Sequence, residues 1–155
     1  MNYNNSALDT SVALDFYLTD LQDLLLNIIK PIVIPCIAKE IIDVASAYSH
    51  TNRIYYVTGN TVLSNFNVPI DFTYATTVDY DLTSNVVSYN NQMNDDLLIK
   101  YAQKNNLILA TNDPALRKEA KTYNVPAIGT FGLLFASVKK NLISFSVVSR
   151  IEGDL

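Results

Sequence analysis

The feature that most constrains this chain is an alternation of short, fully apolar runs with stretches whose apolar residues recur every three or four positions. Ile32-Val33-Ile34, Leu107-Ile108-Leu109-Ala110 and Val125 to Ile128 are such runs. A strand in a parallel sheet is covered on both faces, so it reads as a continuous apolar run and not as an in-and-out alternation. Helices between the runs supply the crossovers that parallel strands require. The expected fold is α/β, a three-layer α/β/α sandwich with a mostly parallel central sheet.

Ser6 to Leu8 reads as a short strand leading through Asp9-Thr10-Ser11 into a helix that carries Val12, Leu14, Phe16, Tyr17 and Leu18. After Asp20, the residues Leu21, Leu24, Leu25, Ile28 and Ile29 keep helical spacing, and Pro31 is expected to stop that helix. Pro35 suits the first turn of a helix reaching about Ser46, with Glu40 inside or at the edge of its apolar stripe. Asn94 is expected to cap a helix whose first turn holds Asp95 and Asp96. Thr111-Asn112-Asp113-Pro114 turns the chain into a helix over Ala115 to Tyr123, and Gly129 to Gly132 opens another reaching Lys139. Leu142 to Val148 reads as a last edge strand. The middle, about residues 48–92, is rich in Asn, Thr, Tyr and Val and reads as an irregular or inserted segment with Ile54–Thr58, Thr61–Leu63 and Val86–Tyr89 as candidate strands.

With 155 residues, 49% of them hydrophobic, the chain can bury roughly two-thirds of its unfolded surface, which suits a single domain over residues 1–155. No apolar run approaches the roughly 20 residues that span a bilayer, so no membrane helix is expected. Met1 to Ser6 lacks the basic start and apolar core of a signal peptide, which points to the cytosol. Cys36 is the lone cysteine, which excludes an internal disulfide and a cysteine metal cage and suggests a core residue. His50 is the lone histidine and reads as a polar loop residue, so a histidine zinc site or a Ser/His/Asp triad has little to stand on. Net charge is −4 with no basic run, so any phosphate binding must be local.

The carboxylates supply a local means. Ligands of an open parallel sheet bind beyond the carboxyl ends of its strands. Asp9 and Asp113 each follow an apolar run, Asp95 and Asp96 begin the helix that leads to the Leu107 run, and Glu40 faces inward from its own helix. These acids are expected to converge at one edge. Clustered carboxylates repel unless a cation sits among them, and oxygen-only ligation suits Mg²⁺ or Mn²⁺. Such a site can hydrolyse phosphodiesters. Each acid also has a plainer explanation: Asp9 and Asp113 as helix caps, Asp95 and Asp96 as macrodipole partners, Glu40 as an edge residue paired with Lys39 or Arg53.

Leu8-Asp9-Thr10-Ser11-Val12, Ile34-Pro35 through Lys39-Glu40-Ile41, Asn94-Asp95-Asp96-Leu97-Leu98-Ile99 and Leu109-Ala110-Thr111-Asn112-Asp113 together resemble the PIN domain family. Leu116-Arg117, Val125-Pro126 and Gly129 to Ile143 add to the likeness, which covers about residues 6–47 and 92–143 and is similar to ribosomal-RNA-processing PIN proteins and to toxins of toxin–antitoxin pairs. The resemblance implies a metal-dependent endoribonuclease that binds Mg²⁺ or Mn²⁺ through Asp9, Glu40, Asp95 and Asp113, with Asp96 as a fifth ligand or an alternative to Asp95. It implies supporting or phosphate-positioning roles for Thr10, Ser11, Thr111 and Asn112. RNA as substrate, an antitoxin or other regulatory protein and a homodimer partner follow by the same likeness. Lys100, Lys104, Arg117, Lys118 and Lys121 flank the acids and are candidates to hold RNA phosphates, and Tyr55, Tyr56, Tyr74, Tyr80 and Tyr89 to stack bases. Two other readings stand beside this one: a DNA-directed nuclease of related fold, and a non-catalytic module that binds a protein partner.

Overall fold

The computed structural model describes residues 5–19, 21–38, 40–41, 68 and 91–154. Among the described residues four strands form one sheet in the order β2-β1-β3-β4, with β1 at Asn5–Leu8, β2 at Lys30–Ile32, β3 at Ile108–Ala110 and β4 at Ala127–Ile128. All pairs are parallel: Ala7 faces Ile32 on one side and Leu109 on the other, and Ala110 faces Ile128. The α/β architecture expected from the apolar runs is the one the chain adopts.

Helices Thr10–Leu18 and Gln22–Ile28 carry the chain from β1 to β2, and Pro114–Thr122 carries it from β3 to β4. The two crossovers step in opposite directions along the sheet, so the right-handed rule puts their helices on opposite faces. The packing agrees. The first two helices lie against Thr130–Lys139, whereas Asn91–Lys104 lies against β1 and β3 and Pro114–Thr122 against β4. Three layers result. Leu8, Leu109 and Ala110 are buried in one cluster with Val12, Phe16, Leu25, Leu133 and Leu134, and Ile34, Ile37 and Leu98 belong to the same core. Each such large apolar side chain contributes about 1.5–3 kcal/mol by leaving water. Cys36 is buried there with its thiol pushed up to about 12, first by burial, with Glu40 and Asp95 adding to it, so it serves as a core residue and not as a nucleophile.

Three local expectations differ from what the chain does. The second helix ends at Ile28, and Pro31 lies within β2 opposite Ser6 instead of marking a helix end. Among the described residues β2 is the end strand of the sheet, a position where proline is tolerated in a ladder. The segment expected as a last strand instead enters a helix, Phe145–Asp154, whose start is set by Ser144: the Val147 N–H donates to Ser144 Oγ at 3.4 Å. The Asn91–Lys104 helix begins a turn before the expected cap, so Asn94 lies inside it, fully buried. Asp20, His50, Lys39, Arg53, residues 42–46, the five middle tyrosines and the three candidate middle strands lie outside the described residues. Val68, from that middle segment, joins the core. Among the described residues no helix is long and apolar enough to cross a membrane.

Candidate functional site

In an open parallel sheet the binding crevice forms where successive connections leave in opposite directions. Here that point lies between β1 and β3, since β1 connects toward β2 and β3 toward β4. Asp9 follows β1 directly and its N–H donates to the Ala110 carbonyl at 2.9 Å, so the sheet ladder itself brings Asp9 beside the Thr111-Asn112-Asp113 turn.

Asp9 is only 7% exposed. Its Oδ1 accepts from the Thr10 N–H at 2.9 Å, and its Oδ2 accepts from the Thr111 hydroxyl at 2.6 Å and the Ser11 hydroxyl at 3.4 Å. Both hydroxyls accept in turn from the β3 turn: the Asp113 N–H donates to Thr111 Oγ1 and the Asn112 N–H to Ser11 Oγ, each at 3.1 Å. Two hydroxyl relays thus run from adjacent backbone amides to one carboxylate oxygen. They favour the ionised form of Asp9, but burial outweighs them, and with the charge of Asp113 it raises the carboxyl above its ordinary range. The supporting positions Ser11 and Thr111 therefore act directly on Asp9. Thr10 does so only through its backbone, and its buried Oγ1 has no hydrogen-bond partner among the described residues.

Asp113 caps the Pro114–Thr122 helix, accepting from the Ala115 N–H at 2.9 Å, with proline at the first helical position. The plain reading of this residue holds, and its charge still reaches Asp9 and Asp95. Asp95 lies beyond the first helical turn, so the macrodipole does not account for it. Its carboxyl is pushed up to about 7, first by burial and then by Asp9, Asp113, Glu40 and Glu119. All four of these charges are carboxylates. Glu40 is half-buried and its Oε2 accepts from Asn94 Nδ2 at 3.4 Å. Asp9, Glu40, Asp95 and Asp113 are thus electrostatically joined. Asp96 turns elsewhere: partial desolvation, a hydrogen bond with Asp96 and the Asp96 charge raise the Glu119 carboxyl.

Two acids escaped the sequence reading. Glu119 carried no spacing signal. Asp15 did: it is the one charged residue in an otherwise apolar first helix, four positions after Ser11. Its Oδ2 accepts from Asn112 Nδ2 at 2.6 Å and from the Thr130 hydroxyl at 2.7 Å, while Asn112 Oδ1 accepts from the Thr130 N–H at 2.7 Å. This network ties the β3 turn to the start of the Thr130–Lys139 helix. Asn112 therefore holds Asp15 and Thr130, with only its backbone serving the Asp9 relay. Gly129 permits the approach, since a Cβ there would come within 2.9 Å of Asn112 Oδ1. Lys100, Arg117 and Lys118 are exposed on the flanking helices.

The donors are oxygen atoms of the kind Mg²⁺ or Mn²⁺ takes, and the repulsion that lifts Asp95 is what a divalent ion relieves. As the side chains are oriented, no three acidic, cysteine or histidine groups among the described residues stand close enough to share one ion. Asp9 and Asp113 each commit a carboxylate oxygen to hydrogen bonds within the chain.

No protein-family model matches the chain, and no curated protein matches it. A solved structure, a domain of a functionally unknown protein from Methanocaldococcus jannaschii DSM 2661, is similar in fold over 81% of this chain and 90% of that one, with a TM-score of 0.50 and 19% identity. That likeness concerns the fold alone.

Proposed function

We propose that this chain is a PIN-type, Mg²⁺- or Mn²⁺-dependent endoribonuclease that hydrolyses RNA phosphodiester bonds, acting as the toxin of a toxin–antitoxin pair or as an RNA-processing factor. The observation that carries the reading is the joint electrostatics of Asp9, Glu40, Asp95 and Asp113 at the crevice between β1 and β3, the four positions implied by the PIN resemblance. Asp9, Glu40, Asp95 and Asp113 would hold the ion, with Asp96 closer to Glu119 and outside the set. Such an ion, when bound, lowers the pKa of a coordinated water and neutralises charge building on phosphate oxygens.

The chain's own residues do the rest. Ser11 and Thr111 fix Asp9 in one orientation. Asp95, half-protonated near neutral pH without an ion, gives up its proton as the cluster takes on positive charge. Lys100, Arg117 and Lys118 offer positive charge for phosphates on either side of the scissile bond. Residues 48–92 belong, in this reading, to the same PIN-like domain. A homodimer or an antitoxin would find apolar surface at Phe135 and Phe145, which are exposed and stacked with ring centroids 6.2 Å apart.

The test is incubation of structured and single-stranded RNAs with Mn²⁺, Mg²⁺ or EDTA. Ion-dependent cleavage supports the reading, and intact RNA under every condition contradicts it. The capping bond of Asp113 and the lack of a preformed three-acid group among the described residues favour a second reading, a non-catalytic protein-binding module. That module would keep its partner after Asp113→Asn and leave RNA uncut.

A further inference from the structure

Beside the acids lies a cleft of about 750 Å³, lined by Asp15, Asn112, Arg117, Gly129, Phe131 and Gly132 among others. We propose that this cleft seats one nucleotide of a single-stranded RNA, its amino-bearing base between Phe131 and Asp15 and its phosphate on Arg117; this deepens, and rests on, the reading of the chain as an RNA nuclease.

The volume is that of a small-molecule site. Phe131 is 41% exposed, a large apolar ring left in water in the lining of the cleft. Every base has a face to stack on such a ring. Asp15 supplies selectivity. Its Oδ2 is held by Asn112 and Thr130, which fixes the carboxylate, and its Oδ1 takes no hydrogen bond among the described residues. A fixed carboxylate oxygen accepts from an exocyclic amine, as carried by adenine, cytosine and guanine and lacked by uracil. Arg117 overlies the floor: its Nη1 is 3.6 Å from where a Cβ on Gly129 would stand, so glycine at 129 leaves room for both the guanidinium and an incoming group. Arg117 also lines an adjoining groove of about 610 Å³ with Lys118 and Lys121, so a strand leaving the cleft meets three cations in succession. The Asp15–Asn112–Thr130 network explains one oxygen of Asp15 and the start of a helix; it does not explain a phenylalanine and an arginine sharing the same hollow.

The test is a ¹H–¹⁵N NMR titration of the full chain, free of divalent ions, with adenosine, cytidine, guanosine and uridine monophosphates. Expected are saturable shifts of the Asn112, Gly129, Phe131 and Gly132 amides, weaker for the uridine nucleotide. Phe131→Ala, at an exposed position, should keep the dispersed spectrum of the folded chain and weaken binding roughly tenfold, the worth of one stacked base. Arg117→Ala should make nucleotides bind no better than nucleosides. Absence of saturable shifts at these amides, equal binding of all four nucleotides, or unchanged affinity in Phe131→Ala overturns the proposal. Cleavage is read separately: shifts here without ion-dependent cleavage leave the nucleotide site standing and sink the nuclease, whereas cleavage without these shifts does the reverse.

Discussion

The Thr111 hydroxyl donates to Asp9 Oδ2 at 2.6 Å while accepting from the Asp113 N–H at 3.1 Å, so one side chain at the end of β3 positions the acid at the end of β1 and anchors the turn that holds another. Both residues are buried. The pair is the physical joint between the sheet and the candidate site.

Thr111→Val keeps the shape and removes both bonds. It leaves Asp9 Oδ2 with only the 3.4 Å bond from the Ser11 hydroxyl and takes the acceptor from the Asp113 N–H, and the expected loss is about 1–3 kcal/mol in urea denaturation. The lost bond is one that favours ionised Asp9, so the Asp9 carboxyl rises further. Thr111→Ser should restore most of the stability; a valine variant as stable as wild type would show that the bond contributes nothing.

Asp95 makes the ion-free fold sensitive to pH. Its folded value of about 7 lies above the ordinary 3.8, so the folded chain holds this proton more tightly than the unfolded chain does. The contribution is fully present below about pH 4, declines as pH rises to about 7, and is lost above that. Asp95→Asn should therefore raise stability at about pH 8 by on the order of 1 kcal/mol, a figure kept small because the residue is only partly buried and solvent screens its charge. At about pH 4 the variant should gain nothing, which thermal melts in EDTA at both pH values will check.

The same proton links pH to metal. Binding of Mn²⁺ should release protons and tighten as pH rises through about 7, measurable by calorimetry in buffers of different ionisation enthalpy. Asp95→Asn should weaken binding by roughly 10-fold to 100-fold, at least the cost of removing an outer-shell partner. Asp96→Asn, whose carboxylate faces Glu119, should leave affinity nearly unchanged. Equal losses in the two variants would contradict the assignment of Asp95 over Asp96.

Asn112→Ala removes the partner of the Thr130 N–H and of Asp15 Oδ2 together. A loss of about 1–3 kcal/mol is expected for the polar groups left behind. Gly129→Ala should destabilise by a similar amount, about 1–3 kcal/mol, because the added methyl meets Asn112 Oδ1 at 2.9 Å. Thermal melts compare both with wild type.

The elements legible in the sequence are those whose local chemistry and tertiary role agree. Leu107 to Ala110 reads as a buried strand and packs as one, and Asp113-Pro114 reads as a cap and first turn and is both. Pro31 misleads because only the pairing of strands reveals that it lies in β2 opposite Ser6, at the end of the sheet among the described residues. Val147 and Val148 carry strand propensity, yet they lie in a helix once Ser144 supplies a cap, with Ile143 just before it. Asn94 imitates a cap, whereas burial gives it to Glu40. In the site, Asp9 and Asp113 were legible because strand ends place them. Asp15 was overlooked although the argument that singled out Glu40, an acid among apolar helical residues, applies to it equally. The Asp96–Glu119 pairing depends on how two helices face each other, which no local pattern encodes.

The central claim is that the acids at the β1–β3 crevice bind a divalent ion and that this ion is needed to cut RNA. The most direct measurement follows Mn²⁺ affinity and RNA cleavage on the same samples of wild type, Asp9→Asn and Asp113→Asn, with circular dichroism confirming that each is folded. The account predicts that wild type binds the ion and cuts, and that folded Asp9→Asn and Asp113→Asn lose both together. Wild type that neither binds the ion nor cuts any RNA, or variants that cut as well as wild type, would contradict it.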